Sequence, residues 1–156
     1  MVLLDAKTLL NLATLIKLFY IPYGKAYLKA GYGIDIDAHS GSWHRQVSLL
    51  SLSSFEKMQA LGATVGYGDF AENITVEGID VFTLPLGTHI RIGEALLEVT
   101  QIGKECHNKG CTIKQQVGTC VMPLEGIFTR VLESGWVKTG DKVFLPGEEN
   151  NPPIID

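Results

Sequence analysis

The stretch "GIFTRVLESGWVKTGDKVFL", residues 126–145, bears most directly on the fold because it holds three short runs of strand-forming residues. Turn residues at Ser134-Gly135 and at Gly140-Asp141 separate the runs. The segment "THIRIGEALLEVTQI", residues 88–102, adds two strands that meet at Gly93-Glu94, a hairpin turn candidate. Closely spaced strands with no regular alternation with helices favour a closed or partly open β-barrel over a parallel sheet. We therefore predict a mainly β fold.

Only a few short helices are expected beside the barrel. The segment "SSFEKMQALG", residues 53–62, places Ser53 three positions ahead of Glu56, which is the spacing of a capping box at a helix start. Gly62 then suits a left-handed helix end. Two further segments read as strands because they are mostly apolar or alternating: "QVSLLSL" at 46–52 and "NITVEGID" at 73–80.

The first residues, "MVLLDAKTLLNLATLIKLFY", predict an atypical N-terminal helix. Four polar side chains recur at helical spacing on one side of an otherwise apolar wheel: Lys7, Asn11, Thr14 and Lys17. Charged residues interrupt the apolar run, which argues against a membrane span and for packing on the domain or on a partner chain. We expect an amphipathic helical segment over 1–22, a barrel domain over 23–146 and a flexible polar tail over 147–156.

The composition limits the classes of function. The chain has 156 residues and a formal net charge of −4, which is ordinary for one globular domain and argues against nucleic acid as a partner. Its three cysteines all lie between Cys106 and Cys120. A secreted disulfide framework would spread an even number of cysteines over the fold, so we interpret the protein as cytoplasmic with reduced thiols.

The cysteine segment "GKECHNKGC", residues 103–111, leaves several chemistries open. The four soft side chains Cys106, His107, Cys111 and Cys120 do not have the paired spacing of a structural zinc site. Cys120 also reads as a small buried hydrophobe. Cys106 differs because it follows a strand and has Lys104 and His107 close by, and positive neighbours favour a thiolate. Such a thiolate can act as a nucleophile, carry a persulfide or ligate a soft metal.

Three separated stretches resemble a known bacterial family in the same order. They are "GYGIDIDAHSGSWHRQVSLLS" at 31–51, "GYGDFAENITVEGIDVFTLPLGTHIRIGEALLEVTQIGKECHNKGC" at 66–111 and "VMPLEGIFTRVLESGWVKTGDKV" at 121–143. Over about residues 23–145 the chain resembles a stand-alone MOSC domain, the domain that ends molybdenum-cofactor sulfurases. The resemblance implies a barrel-like β fold and a role around the molybdenum cofactor, a pterin dithiolene that carries a phosphate.

The resemblance also implies which residues form the site. The family's cysteine falls on Cys106, as metal ligand or sulfur carrier, with His107 beside it to tune the thiol. The family's G-D-x-H-x-G loop maps onto "IDAHSG", with Ile36 in place of the glycine. A β-branched side chain there resists close ligand approach. The implied cofactor-binding residues are Asp37, His39, Gly41, Arg45, Asn73 and Lys104.

Three functions follow from this reading. The first is a molybdenum cofactor-binding protein of cofactor maturation, working with cofactor biosynthesis proteins or molybdoenzymes. Pyridoxal phosphate is not expected in this chain, so a separate cysteine desulfurase would load Cys106 if sulfur moves. The second is a small molybdoenzyme that reduces N-hydroxylated compounds with a reductase partner. The third is a non-catalytic interaction domain with structural cysteines. The first two would carry a sulfurtransferase-type or a molybdenum-dependent oxidoreductase activity.

Overall fold

The computed structural model describes residues 16–35, 37, 40–105 and 112–145. Its strands are β1 (Lys17–Tyr20), β2 (Lys25–Lys29), β3 (Gly33–Ile34), β4 (Val47–Ser51), β5 (Ile74–Glu77), β6 (His89–Ile92), β7 (Ala95–Ile102), β8 (Ile127–Glu133), β9 (Gly135–Lys138) and β10 (Val143–Phe144). Its helices are α1 (Leu52–Ala60), α2 (Thr112–Val117) and α3 (Met122–Glu125), with 3-10 turns at Pro22–Gly24 and Val81–Thr83. The prediction of a mainly β fold with a few short helices is confirmed.

Seven strands form a nearly closed barrel in the order β1-β5-β4-β8-β7-β6-β10. Strands β4 and β5 pair in parallel and the other neighbours are antiparallel. The two ends of this sheet meet where Lys17 bridges to Lys142. There the Leu18 N–H donates to the Asp141 carbonyl at 2.8 Å, and Leu18 accepts from the Gly140 N–H at 2.8 Å. Closure removes the open edges that an exposed sheet would present.

The prediction of a helix over residues 1–22 is wrong for the end of that segment, because Lys17–Tyr20 form strand β1. The aromatic side chains of Phe19 and Tyr20 suit a strand, and backbone pairing with β5 and with the segment before β10 outweighs the helical spacing. Residues 1–15 and the expected tail 147–156 lie outside the described residues. None of the helices in the described part of the chain has the length and apolar character that a membrane crossing requires.

A second, three-stranded sheet has the order β3-β2-β9. The predicted turn at Ser134-Gly135 is therefore not a hairpin, because β8 and β9 belong to different sheets. The chain changes sheets between Glu133 and Gly135. Gly135 is required at this crossing, since an added Cβ would lie 2.5 Å from the Glu94 Cβ.

Two apolar clusters fill the molecule. Strand β7 shows the pattern of the first, since Ala95, Leu97 and Val99 are buried while the residues between them are half-buried. That cluster joins the interior of the barrel to the three-stranded sheet and includes Leu18, Leu28, Leu49, Ile74, Val76, Ile90, Ile92, Ile127 and Val131. The second cluster joins α1, α2 and α3 to the outside of the barrel and includes Leu50, Phe55, Met58, Phe70, Ile113 and Met122. Cys120 is half-buried and packs against this second cluster, whereas the sequence predicted a small, buried hydrophobic residue.

Helix α1 confirms the predicted helix but not the predicted capping box. The helix begins at Leu52, so Ser53 lies inside its first turn and donates its hydroxyl hydrogen to Asp80 Oδ1 at 2.6 Å. Ser51 precedes the helix, and its hydroxyl accepts the Val81 N–H at 2.8 Å. Gly62 follows the helix with φ of 98°, as predicted.

Candidate functional site

A polar cleft opens where the beginnings of β4 and β5 lie side by side. Because these two strands are parallel, the residues that precede them meet at one edge of the barrel. The cavity volume is about 130 Å³. Three chain segments supply its charged and amide side chains, namely Asp37 and Arg45 before β4, Asn73 before β5, and Lys104 after β7. Trp43, Ser48, Ala71 and Phe128 line the rest of the wall, together with Gln46.

The amide of Asn73 is fixed by hydrogen bonds on both of its atoms. Its Oδ1 accepts the backbone N–H of Ser48 at 2.8 Å, and its Nδ2 donates to Asp37 Oδ2 at 3.0 Å. The Ser48 hydroxyl lies 2.9 Å from the Asn73 backbone nitrogen and accepts its hydrogen. Asp37 thus holds a defined position in the cleft through a residue 36 positions away.

The guanidinium of Arg45 is held by aromatic rings. Its central carbon lies 4.5 Å from the ring centroid of Trp43 and 5.5 Å from that of Phe128. Cation–π contacts of this kind orient a guanidinium without using its N–H donors. The Nε atom is buried and has no hydrogen-bond partner among the described residues. A buried donor without an acceptor destabilises the protein, so a ligand that supplies an acceptor would gain binding free energy at this atom.

Lys104 reaches the cleft through a turn that only glycine permits. Gly103 has φ of 71°, and an added Cβ would lie 2.0 Å from the Pro123 carbonyl oxygen. Its N–H donates to the Gly126 carbonyl at 2.6 Å, and its own carbonyl accepts from Gln101 Nε2 at 2.8 Å. These contacts therefore fix the Lys104 backbone after the end of β7.

The loop "GYGDFAEN", residues 66–73, is ordered by its own carboxylates. The Asp69 carboxylate accepts the Gly66 N–H at 2.6 Å. The buried Glu72 carboxylate accepts the N–H groups of Gly68 and Phe70, the latter at 3.0 Å. Burial raises the pKa of Glu72 above its ordinary value, against the opposing effect of these hydrogen bonds. Ala71 adopts a left-handed φ of 62° between Glu72 and the rest of the loop, next to the cleft.

Four of the residues implied by the resemblance come together in this cleft: Asp37, Arg45, Asn73 and Lys104. Gly41 is not part of the lining, and its N–H donates to the Tyr32 carbonyl at 2.9 Å. The predicted residues His39, Cys106 and His107 lie outside the described residues, as do Ile36 and Cys111. Within the described ranges, no three or more His, Cys, Asp or Glu side chains are grouped so that they could hold a metal ion.

Sequence reasoning missed several residues that shape the cleft. The sequence indicates for Ser48 only a place in a strand, and for Trp43 only a place in the first stretch that resembles the family. Glu72 carries a signal that was available, since an acidic residue follows a loop with two glycines, and such loops offer free N–H groups to a carboxylate. The spacing of Trp43 and Arg45, two apart before β4, offers no comparable signal, because their contact depends on Phe128 from β8.

A family model and several solved structures are similar to this chain. A family model described as the MOSC domain matches residues 37–144. The fold is similar to that of the YuaD protein of Bacillus subtilis, at 20% identity and a TM-score of 0.66, covering 81% of this chain and 92% of that one. It is also similar to YiiM of Escherichia coli, at 16% identity and a TM-score of 0.58, covering 83% and 67%. YiiM of Geobacillus stearothermophilus gives 20% identity and a TM-score of 0.56, covering 78% and 60%. No curated protein matches the sequence.

Proposed function

This chain belongs to the MOSC domain family, which is associated with the molybdenum cofactor, and we propose that its polar cleft binds that cofactor during cofactor maturation. In this proposal Cys106, two positions after Lys104 in the sequence, ligates molybdenum or carries the sulfur that is delivered to it. A cysteine desulfurase is then the expected sulfur donor, and a cofactor biosynthesis protein or a molybdoenzyme is the expected recipient.

The observation that carries the proposal is the buried Nε of Arg45, which has no hydrogen-bond partner among the described residues, in a cleft that Lys104 also lines. Two cationic side chains in a cavity of about 130 Å³ match the charge and size of a phosphate group. Guanidinium and ammonium groups together are the usual ligands of phosphate in proteins. Since the cofactor of this family carries a phosphate on its pterin, the donor set fits the group.

The other residues of the cleft fit the pterin edge. Pterin rings present N–H donors and ring acceptors, and the cleft offers the Asp37 carboxylate as an acceptor beside the oriented Asn73 amide. The Asn73 side chain keeps the carboxylate in place while it accepts from a ligand. When bound, the cofactor supplies a soft, redox-active metal that accepts thiolate sulfur. Arg45 and Lys104 would then neutralise the charge of the phosphate.

The proposal is tested by comparing two arginine variants purified anaerobically from cells supplied with molybdate. Arg45→Gln removes one of the two cations of the cleft, whereas Arg130→Gln removes an equal charge from the exposed end of the ion pair with Glu98. Losing a charged hydrogen bond of about 1.5–3 kcal/mol should lower bound molybdenum and pterin about tenfold or more in Arg45→Gln. Arg130→Gln should match the wild type. Equal cofactor content in the two variants would contradict the proposal.

A third variant, Cys106→Ser, separates the roles of the thiol. Loss of molybdenum and pterin in this variant would make Cys106 the metal ligand, and assays with hydroxylamine-type substrates and an electron donor would then test the reductase function. An extra sulfur atom on wild-type Cys106, seen by intact mass in pterin-free protein, would make it a sulfur carrier. Zinc alone, or no bound group in the wild type, would leave the interaction domain as the remaining function.

A further inference from the structure

A second cavity adjoins the polar cleft and differs from it in chemistry. Its volume is about 170 Å³, and its floor consists of the buried apolar residues Ile21, Ala26 and Ile34. The exposed Lys25 also lines it. Asp37 and Asn73 line both cavities, so their hydrogen-bonded pair forms the boundary between them. One side of this pair faces Arg45 and Lys104, and the other faces an apolar pocket. Two ligand groups of different polarity could therefore bind on the two sides of this pair.

Tyr23 stands at the rim of this apolar pocket in a conformation that a tyrosine rarely adopts. Its φ is 62° and its ψ is 9°, and 89% of the residue is exposed to solvent. Within the described ranges its side chain makes no hydrogen bond, ion pair or ring contact. The backbone is held by Pro22 and by Gly24, whose carbonyl accepts the Thr139 N–H at 2.9 Å. A left-handed, exposed aromatic residue beside a cavity is an arrangement that packing of the protein does not explain.

We propose that the apolar pocket binds an uncharged planar ring that carries an N–H donor, with the ring against Tyr23 and the donor facing Asp37. The floor supplies apolar contact, and the exposed Tyr23 supplies a ring that can stack on the ligand. A carboxylate has about four acceptor sites, so Asp37 can accept from the ligand and keep its bond from Asn73. We assign this ring to the molecule on which the cofactor-bearing site acts, and this assignment rests on the proposed function. The ring binding itself does not.

The test is a fluorine NMR titration of the isolated protein with fluoroindole, an uncharged planar ring with one N–H donor. Tyr23→Asn removes the aromatic ring but tolerates the left-handed backbone, so it keeps the turn. We expect fluoroindole to bind this variant about three- to tenfold more weakly, the effect of losing one aromatic pair. We expect N-methyl fluoroindole to bind the wild type about tenfold more weakly than fluoroindole, because it cannot donate to Asp37.

Leu86→Ala provides the control, since Leu86 is a large apolar residue before β6 that is 64% exposed and lines neither of the two cavities at Asp37. This variant, and saturation with inorganic phosphate, should leave fluoroindole binding unchanged. Equal binding to Tyr23→Asn and wild type, or loss of binding only in Leu86→Ala, would overturn the proposal. Fluoroindole binding that depends on Tyr23 in a protein that never acquires pterin would uphold the ring pocket while the proposed function fails.

Discussion

The interior of the barrel and the rim of the polar cleft differ in how favourable the environments of their residues are. In the interior, Leu49, Ile92 and Leu97 are fully buried among other apolar residues. At the rim, Arg45 buries a donor that has no partner in the described part of the chain, and Ala71 adopts a left-handed backbone. Each such exception costs on the order of 1–3 kcal/mol. The barrel interior therefore supplies the stability that permits these unfavourable features where ligands would bind.

The largest effect on stability is expected from truncating a side chain in the barrel interior. Leu97→Ala should lower the free energy of unfolding by about 2–5 kcal/mol, because it leaves a cavity in a fully buried site. Leu96→Ala on the same strand is the control, since Leu96 is only half-buried and should cost clearly less. Urea denaturation measures both. Equal losses would mean that β7 does not separate an inner from an outer face.

A smaller but more local effect is expected at the turn that brings Lys104 to the cleft. Gly103→Ala and Gly118→Ala both place a side chain at a positive φ, of 71° and 79°, which alone costs about 1–2 kcal/mol. Only at Gly103 does the new Cβ also collide with the Pro123 carbonyl, because the space around Gly118 is open within 4 Å.

We therefore expect Gly103→Ala to destabilise the protein by roughly 1–3 kcal/mol more than Gly118→Ala in denaturant unfolding. It should also lower cofactor content, since the Lys104 backbone must shift. Equal unfolding free energies for the two variants would show that the turn at Gly103 is not held against the chain at Pro123.

The interior was predictable from sequence and the rim was predictable only in part. Alternation in "ALLEVTQI" and the apolar run in "QVSLLSL" report burial directly, so β7 and β4 were predicted. Strand β1 was missed because its pairing partners lie some 60 and 125 positions away, at Glu77 and Lys142, and local spacing favoured a helix. The four cleft residues came from the resemblance. Ser48 was missed because its bond to Asn73 depends on the parallel pairing of β4 with β5.

The rim should also show a pH dependence that the interior does not. Burial raises the pKa of Glu72 above its ordinary 4.5, so the folded protein holds this proton more tightly than the unfolded chain does. Unfolding then releases a proton between the two pKa values. The free energy of unfolding should fall as the pH rises from about 4.5 through the raised pKa.

Glu72→Gln should lack this part of the pH profile, because its side chain does not titrate. Glu56→Gln, an exposed position on α1, should keep the wild-type profile. Thermal unfolding across this pH range compares the three proteins. A Glu72→Gln profile parallel to that of the wild type would mean that Glu72 is not desolvated in the folded state.

The smallest effect tests an exception inside the sheet. Thr75 and Thr129 are both fully buried strand residues, yet Thr129 donates its hydroxyl hydrogen to the Val47 carbonyl at 2.9 Å, while the Thr75 hydroxyl has no partner among the described residues. Thr75→Val should raise the free energy of unfolding by about 1 kcal/mol, because it removes a buried polar atom that makes no hydrogen bond. Thr129→Val should lower it by about the same amount. Destabilisation by both substitutions would show that the Thr75 hydroxyl has a polar partner. Thr75 would then be no exception to an interior in which buried polar groups are hydrogen-bonded.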